Sequence, residues 1–435
     1  MSETTSRRSV IKTGVAAGIG MAAGPGCAAQ ESRGSVGRFP SPPEADTLNS
    51  KAYGQRRIAH VQAALKKAGY DALVVSNRAL DYVSYVSNFH PSAMQSGVAF
   101  VPAEGTPTLY IQMYSSAHAR VAKLTIWIDD VVDVPKDPMS ESSSFNFYTE
   151  VIAKIRERKL GSGRIGLAGG EVDWLLVPHL QKEFPAAKIE DANAFMYSLA
   201  IVKDEIELGL MRHAQRIIDE VAFPQYQKSL KVGALDADVY ADVLDAMLRA
   251  GADASSTRLI LGAAPYDSGT WASGVIDRRI QAGDIILTEP IPRVRSYQTE
   301  RMFTFAVGRN VPDSQKRGAQ VVHESFLLTL EELRPGRELL VAYNKCNDYI
   351  KSKGYEEGAT VLIGHWIGVD NHQGWRITEE GTRGLILEPG MVLSWHPNIV
   401  VPGKLRTCSS ACLLITERGV ENMSKVPMEP MDYVG

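Results

Sequence analysis

The sequence predicts an α/β protein built in two parts, and three observations carry that reading. Between residues 56 and 193, short apolar strands alternate with amphipathic helices. From residue 203 onward the order changes: two long helical stretches come first, and strand candidates follow. A composition of 44% hydrophobic and 22% charged residues is ordinary for a chain with a substantial core.

The first part opens on a helix. Ile58, Val61, Leu65 and Ala68 recur at helical spacing, and Gly69 stops the run. Residues 72–76 read as a short buried strand. Further strands are expected at 97–101, 108–111, 126–132 and 165–167, with a helix over 175–184. These make a small domain over residues 52–195. A helix over 203–230, with Ile206, Leu210 and Ile217 as its apolar stripe, opens the second domain, 196–435. His213 inside this helix reads as structural. A helix over 236–250 ends at Gly251. Strands at 285–288 and 301–307, helices at 314–332 and 338–353, and strands at 392–395 and 412–416 complete the pattern.

The N-terminus reads as a targeting segment. Ser6-Arg7-Arg8-Ser9-Val10-Ile11-Lys12 resembles a twin-arginine export signal, with an apolar run over 15–23 and small residues near Cys27 behind it. Residues 1–29 are expected to be removed, and 30–51, rich in Ser, Gly, Pro and charge, to be a linker. The expectation is export to the periplasm or beyond, with the twin-arginine machinery as a partner. A lipid anchor at Cys27 is the second choice.

A net charge of −3 gives no electrostatic case for nucleic acid. No apolar run reaches the roughly 18 residues of a membrane span. Loss of Cys27 leaves Cys346, Cys408 and Cys412, too few for a disulfide framework. Cys408 and Cys412 read as residues of one strand, sharing a face but roughly 13 Å apart, as core or site-lining thiols.

The stretch from Gly364 to His372 draws attention because it carries His365 and His372 around a second glycine. Imidazole is the commonest neutral metal ligand and general base. On its own the stretch reads equally as a loop with one buried and one exposed histidine. Glu289, Glu300 and His396 keep it company in the same domain, at strand ends or loops. Close carboxylates repel and need a cation, a shared proton or solvent. Carboxylate with imidazole suits Zn, Mn, Fe or Co. Exposed glutamates and a strand-capping Trp395-His396-Pro397 turn are the alternative.

Several segments, in order, resemble the creatinase/prolidase/aminopeptidase P (pita-bread metallopeptidase) family. They are the helix–strand opening at 56–76, Lys203-Asp204-Glu205-Ile206, Gly283-Asp284-Ile285-Ile286-Leu287, Gly364-His365-Trp366-Ile367-Gly368 with His372, Pro389-Gly390-Met391-Val392, and Thr416-Glu417-Arg418-Gly419. The resemblance spans about residues 52–428. It implies a creatinase-like N-terminal domain and a C-terminal pita-bread domain, usually in a homodimer.

The family's metallopeptidases hold two metals with two aspartates, a histidine and two glutamates. Here Glu289 and Glu300 stand where the aspartates are expected, and His365 matches the histidine. His396 stands where the first glutamate is expected, and Ser410 falls where the bridging glutamate is expected. An upstream active-site histidine is replaced near Trp271 and Ala272. His372 matches a substrate-side histidine, and Trp366 and Ser410 complete the expected substrate side.

With the bridging carboxylate gone, a two-metal site gives way to one divalent ion (Zn, Mn, Fe or Co) on Glu289, Glu300, His365 and His396. His365 and His372 are the expected catalytic residues. The expected activity is hydrolysis or lysis of a C–N bond in a small amide or dipeptide-like substrate. Arg293, Arg295, Arg301, Arg376 and Arg406 are candidates for pairing a substrate carboxylate, against the simpler reading of surface charge. The alternatives are a metal-free enzyme of the creatinase type and a non-catalytic binding protein.

Overall fold

Helix Lys51–Ala68 starts where Ser50 caps it, its side chain accepting a hydrogen bond from the Tyr53 amide, and ends at Gly69 in the left-handed region (φ 75°). It leads into strand Ala72–Ser76, apolar and buried through Val75, at the centre of a six-stranded sheet. In spatial order the sheet runs Asp130–Asp133, Thr108–Gln112, Ser96–Pro102, Ala72–Ser76, Arg164–Ala168 and Lys188–Asp191. Ala72–Ser76 pairs antiparallel with Ser96–Pro102 and parallel with Arg164–Ala168. Val74, Phe100, Tyr110, Ile165 and Leu167 pack there with Val151, Ile155 and Leu180 from the helices Ser144–Glu157 and Leu176–Glu183. This is the small α/β domain expected from the alternating pattern. The computed structural model describes residues 37–76, 82–90, 96–112, 120–134, 144–169, 176–256, 259–261, 278–369, 374–401 and 404–435.

Two sequence expectations change. Residues 43–48 are not linker: Pro43–Leu48 is a helix that buries Ala45 and Leu48 and packs against helix Glu205–Ile217. Residues 126–132 are strand only at their end, since pairing begins at Asp130.

The C-terminal half starts at a capping box. Asp204 accepts from the Ile206 and Glu207 amides, and Glu207 Oε2 accepts from the Asp204 amide at 2.9 Å. The expected single helix is interrupted by a π turn at Ile218–Ala222 before Phe223–Ser229. Asp219 in that turn accepts from the Ser424 hydroxyl and the Lys425 amide, so the widened turn is spent on anchoring the C-terminal segment.

Strands then form several small sheets. Ile285–Thr288 lies between Leu259–Leu261 and Phe303–Val307, while Ile291–Val294 and Tyr297–Gln298 form a hairpin paired to Ala254–Ser256. Another sheet runs Gly364–Trp366, Val392–Trp395, Ala411–Thr416 and Gly419–Asn422. Helices Asp313–Thr329 and Leu339–Ser352 cover its apolar face. Trp366, Trp395, Leu393, Leu413 and Ile415 pack there against Val322, Phe326, Ala342, Cys346 and Ile350. Trp395 Nε1 donates to Thr329 Oγ1 at 3.1 Å, so the buried indole keeps a partner. Among the described residues, no helix is long and apolar enough to cross a membrane.

Candidate active site

Strand alternation builds the site. Register pairs His365 with Ser394 and Ser394 with Cys412, so these three point to one face of the sheet. His396, two residues after Ser394, and Ser410, two before Cys412, extend that polar face by the same period. The opposite face carries the tryptophans and leucines just described. Gly364 sits at the first pairing of this ladder. A Cβ there would lie 2.5 Å from the Ser394 carbonyl oxygen, so only glycine lets the two strands close.

Glu300 reaches this face from the other side. It lies between strands Tyr297–Gln298 and Phe303–Val307 and is completely buried. Its backbone is pinned to the sheet by Cys412: the Glu300 amide donates to Sγ at 3.3 Å, and Sγ–H donates to the Glu300 carbonyl at 3.2 Å. Glu300 Oε1 then stands 2.8 Å from His365 Nε2. His365 Nδ1 is 3.2 Å from the Trp366 carbonyl, which fixes the ring with Nε2 toward the carboxylate. The His365 and His396 rings meet edge to face at 5.1 Å. One donor atom each from Glu300, His365 and His396 lies within 4.8 Å of the others, and all three residues are buried.

Electrostatics follow from this packing. Burial alone pushes the Glu300 carboxyl up, but His365, His396 and the Ser394 hydroxyl outweigh it and hold it well below the ordinary carboxylate range. Burial lowers His365, yet the Glu300 charge and hydrogen bond, with a contribution from Glu289, raise it overall. An anion with one or two imidazoles around a small buried space is a donor set for a borderline divalent ion.

The sequence expectations fare differently one by one. Glu300, His365 and His396 are brought together. Glu289 is buried at the end of strand Ile285–Thr288 and acts electrostatically on His365, and it stands outside the three-residue group that converges within 4.8 Å. Trp366 is corrected. It neighbours His365 in sequence, so strand alternation turns it away into the apolar core, fully buried. Ser410 is fully buried on the polar face. His372, Trp271, Ala272 and Cys27 lie outside the described residues.

Cys408 and Cys412 are not on one strand: Leu405–Cys408 pairs with Asn398–Val401, and Ala411–Thr416 belongs to the site-bearing sheet, with Ser409 and Ser410 between. Arg301 is not a surface charge. It donates to the Val426 and Pro427 carbonyls at 2.7 and 2.8 Å and lies 4.6 Å over the Phe303 ring, which ties the C-terminal segment down. Arg406 is likewise fully buried.

Sequence reading missed Ser394 and read Cys412 only as a core or site-lining thiol. The signal was the alternation itself: Ser394-x-His396 and Ser410-x-Cys412 are polar residues at strand period inside apolar runs.

Comparison with known proteins agrees with this architecture. "Creatinase/Prolidase N-terminal domain" matches residues 57–202, and "Metallopeptidase family M24" matches residues 209–422. The chain is 23% identical over 402 residues to creatinase from a Bacillus species, covering 88% of this chain and 92% of that one. It is 24% identical over 380 residues to the probable dipeptidase PepE of Mycobacterium bovis, covering 86% and 95%. Among solved structures, dipeptidase PepE from Mycobacterium ulcerans superposes with a TM-score of 0.74 at 22% identity, over 92% of this chain and all of that one. The prolidase from Pyrococcus horikoshii OT3 does so with a TM-score of 0.72 at 21% identity, over 86% and 99%. With a creatinase-type N-terminal domain ahead of an M24 pita-bread domain, the chain belongs to the creatinase/prolidase/aminopeptidase P family.

Proposed function

We propose that the protein hydrolyses or lyses a C–N bond in a small amide or dipeptide-like substrate, using one divalent transition metal held by Glu300, His365 and His396. The observation that supports this most is the convergence of one buried carboxylate and two buried imidazoles within 4.8 Å. Such a donor set fits Zn, Fe or Co, and Mn less well because imidazole-rich sites favour the later metals. Bound there, the ion would supply Lewis acidity and lower the pKa of a water. Cys412 fixes the Glu300 backbone, and the nearby Ser394 hydroxyl helps to keep its carboxyl ionised. Glu289 keeps a second negative charge near His365. Ser410 offers a hydroxyl on the same face for a substrate polar group.

Two further expectations remain proposals. Export through the twin-arginine route rests on the Arg7-Arg8 segment, and a homodimer rests on the family. Secretion of an R7K/R8K variant and analytical ultracentrifugation test them.

The test of the activity begins with metal content per chain, measured by elemental analysis after purification without chelator. About one tightly held transition metal is expected in the wild type, and none in H396A or E300Q. Retention of metal by both variants would sink this site. Substrate screening with Xaa-Pro dipeptides and small amides then follows.

A second reading is a metal-free enzyme of the creatinase type. The 2.8 Å pair between Glu300 and His365 favours it, since the carboxylate raises the proton affinity of the imidazole and suits it to proton transfer. Metal-free chain that turns over substrate, with activity unchanged by added metal, would select it.

A further inference from the structure

The turn that leads to Glu300 is strained and is gripped from the other domain. Arg295 and Ser296 join strands Ile291–Val294 and Tyr297–Gln298, with Val294 facing Tyr297. Both residues have left-handed backbones, φ 49° and 71°. A two-residue turn of this kind favours Asn-Gly or Gly-Gly, because a side chain at positive φ crowds its own carbonyl. Neither residue here is glycine, so the conformation has to be held by its surroundings.

Three contacts hold it. The Arg295 amide donates to Asp253 Oδ2 within the same domain. The other two tie it to the N-terminal domain, one through Glu207 and Arg57 and one directly through His90. The Tyr297 hydroxyl donates to Glu207 Oε1 at 2.9 Å, and Glu207 is itself held by Arg57 at 2.9 Å. The Ser296 hydroxyl meets His90 Nδ1 at 2.7 Å.

The tautomer of His90 follows from its partners. Asn88 Nδ2 lies 2.9 Å from the Thr125 carbonyl, which only accepts, so Asn88 turns its Oδ1 to His90. His90 Nε2–H therefore donates to Asn88 Oδ1 at 2.8 Å, and Nδ1 presents a lone pair to the Ser296 hydroxyl. Asn88, also at positive φ (57°), is braced by Asn49 at 3.1 Å. A chain of defined donors thus runs from the N-terminal domain to the turn.

We infer that His90 is a positioning residue: through Ser296 it sets where the Glu300 carboxylate stands. Three residues separate Ser296 from Glu300, and the segment between is short and extended. Its other anchors are the Gln298 amide to the Gly368 carbonyl at 2.9 Å and the Cys412 contact to Glu300. Slack at the turn passes along this segment to the carboxylate. Residues that orient a ligand from behind commonly change metal affinity by about 10–100-fold.

The inference rests on the proposed metal site, and its test separates the two. Zn(II) is titrated calorimetrically into the metal-stripped full-length chain, and the melting temperature of each variant is recorded alongside. S296G removes the hydroxyl while giving the turn the residue it favours. It is expected to melt no lower than wild type yet bind Zn(II) at least about tenfold more weakly. H90A is expected to bind as weakly as S296G. H90N, whose amide keeps a polar atom at the Nδ1 position, is expected to come back to within about threefold of wild type.

Wild-type affinity in S296G and H90A would overturn the inference and leave the metal site standing. Affinity that merely tracks the melting temperature, without recovery in H90N, would overturn it too. A wild type that takes up no Zn(II) removes the metal reading itself, and the inference with it.

Discussion

Two buried pairs among the described residues, Arg57–Glu207 and Glu300–His365, differ in kind. Arg57 and Glu207 join the N-terminal helix to the capping box of the second domain. Both members of that pair have further partners. Arg57 also reaches the Tyr53 hydroxyl and Asp204 and stacks 4.2 Å over Tyr85, while Glu207 accepts from Tyr297 and from the Asp204 amide. Glu300 and His365 are equally buried, but around them a second imidazole converges with its donor atom inside the same 4.8 Å. The first arrangement closes on itself and fixes a domain junction. The second gathers three donor groups around one small space. A buried charge therefore marks a site when the groups around it converge on a common point.

Removing one carboxylate from each pair sharpens this contrast most. E207Q leaves the Arg57 guanidinium, which cannot shed its proton, with only the half-exposed Asp204 carboxylate. Unfolding free energy from urea titration is expected to fall by about 3–5 kcal/mol. E300Q leaves His365 without its carboxylate partner, and an imidazole can be neutral. Its metal-free chain is expected to lose less than half as much, while metal uptake disappears. Equal destabilisation by the two variants would break the comparison.

A smaller effect is expected at Cys412, which holds the Glu300 backbone without touching the converging donors. C412A should cost about 1–2 kcal/mol of stability through a small cavity and two lost hydrogen bonds, and weaken metal binding by about tenfold. A binding constant unchanged in C412A would mean that the Glu300 segment is held well enough without it.

The smallest effect is a pH slope at the junction. Burial drives the Lys203 ammonium down from its ordinary 10.5 to about 7; neighbouring Arg57 pushes the same way, and Glu207 opposes. Lys203 donates to the Ala200 and Ile201 carbonyls at the end of helix Asn193–Ala200. Between pH 7 and 10.5 the folded chain holds fewer protons on this group than the unfolded chain does, so stability gains from this group as pH rises through that window. Melting temperatures of wild type and K203M from pH 7 to 10 isolate the contribution. The wild type should gain relative to K203M; parallel curves would show that Lys203 is not desolvated.

Much of this molecule was legible in the sequence, for a physical reason. Long elements announce themselves by period: the stripe on Ile206, Leu210 and Ile217, the glycine after Ala68, and the apolar strand at 72–76 all fold as expected. Short elements did not. Gly364–Trp366 is three residues long, and its membership of a sheet depends on partners thirty and fifty residues away. Nor did the sequence show that Pro43–Leu48 would be a helix, since its helicity comes from burying Ala45 and Leu48 against a distant partner.

The sequence by itself determined which residue types were available for chemistry: two glutamates eleven apart, His365 behind a glycine, and His396 at the end of an apolar run. Only the tertiary structure decided which of them meet. Glu300 joins the two histidines and Glu289 stands aside, although both follow the same stretch of chain, because Cys412 clamps the Glu300 backbone to the site-bearing sheet. Trp366 and His365 part company for an equally simple reason, since adjacent strand residues face opposite ways. Convergence is set by register and pairing between distant segments, and local sequence carries neither.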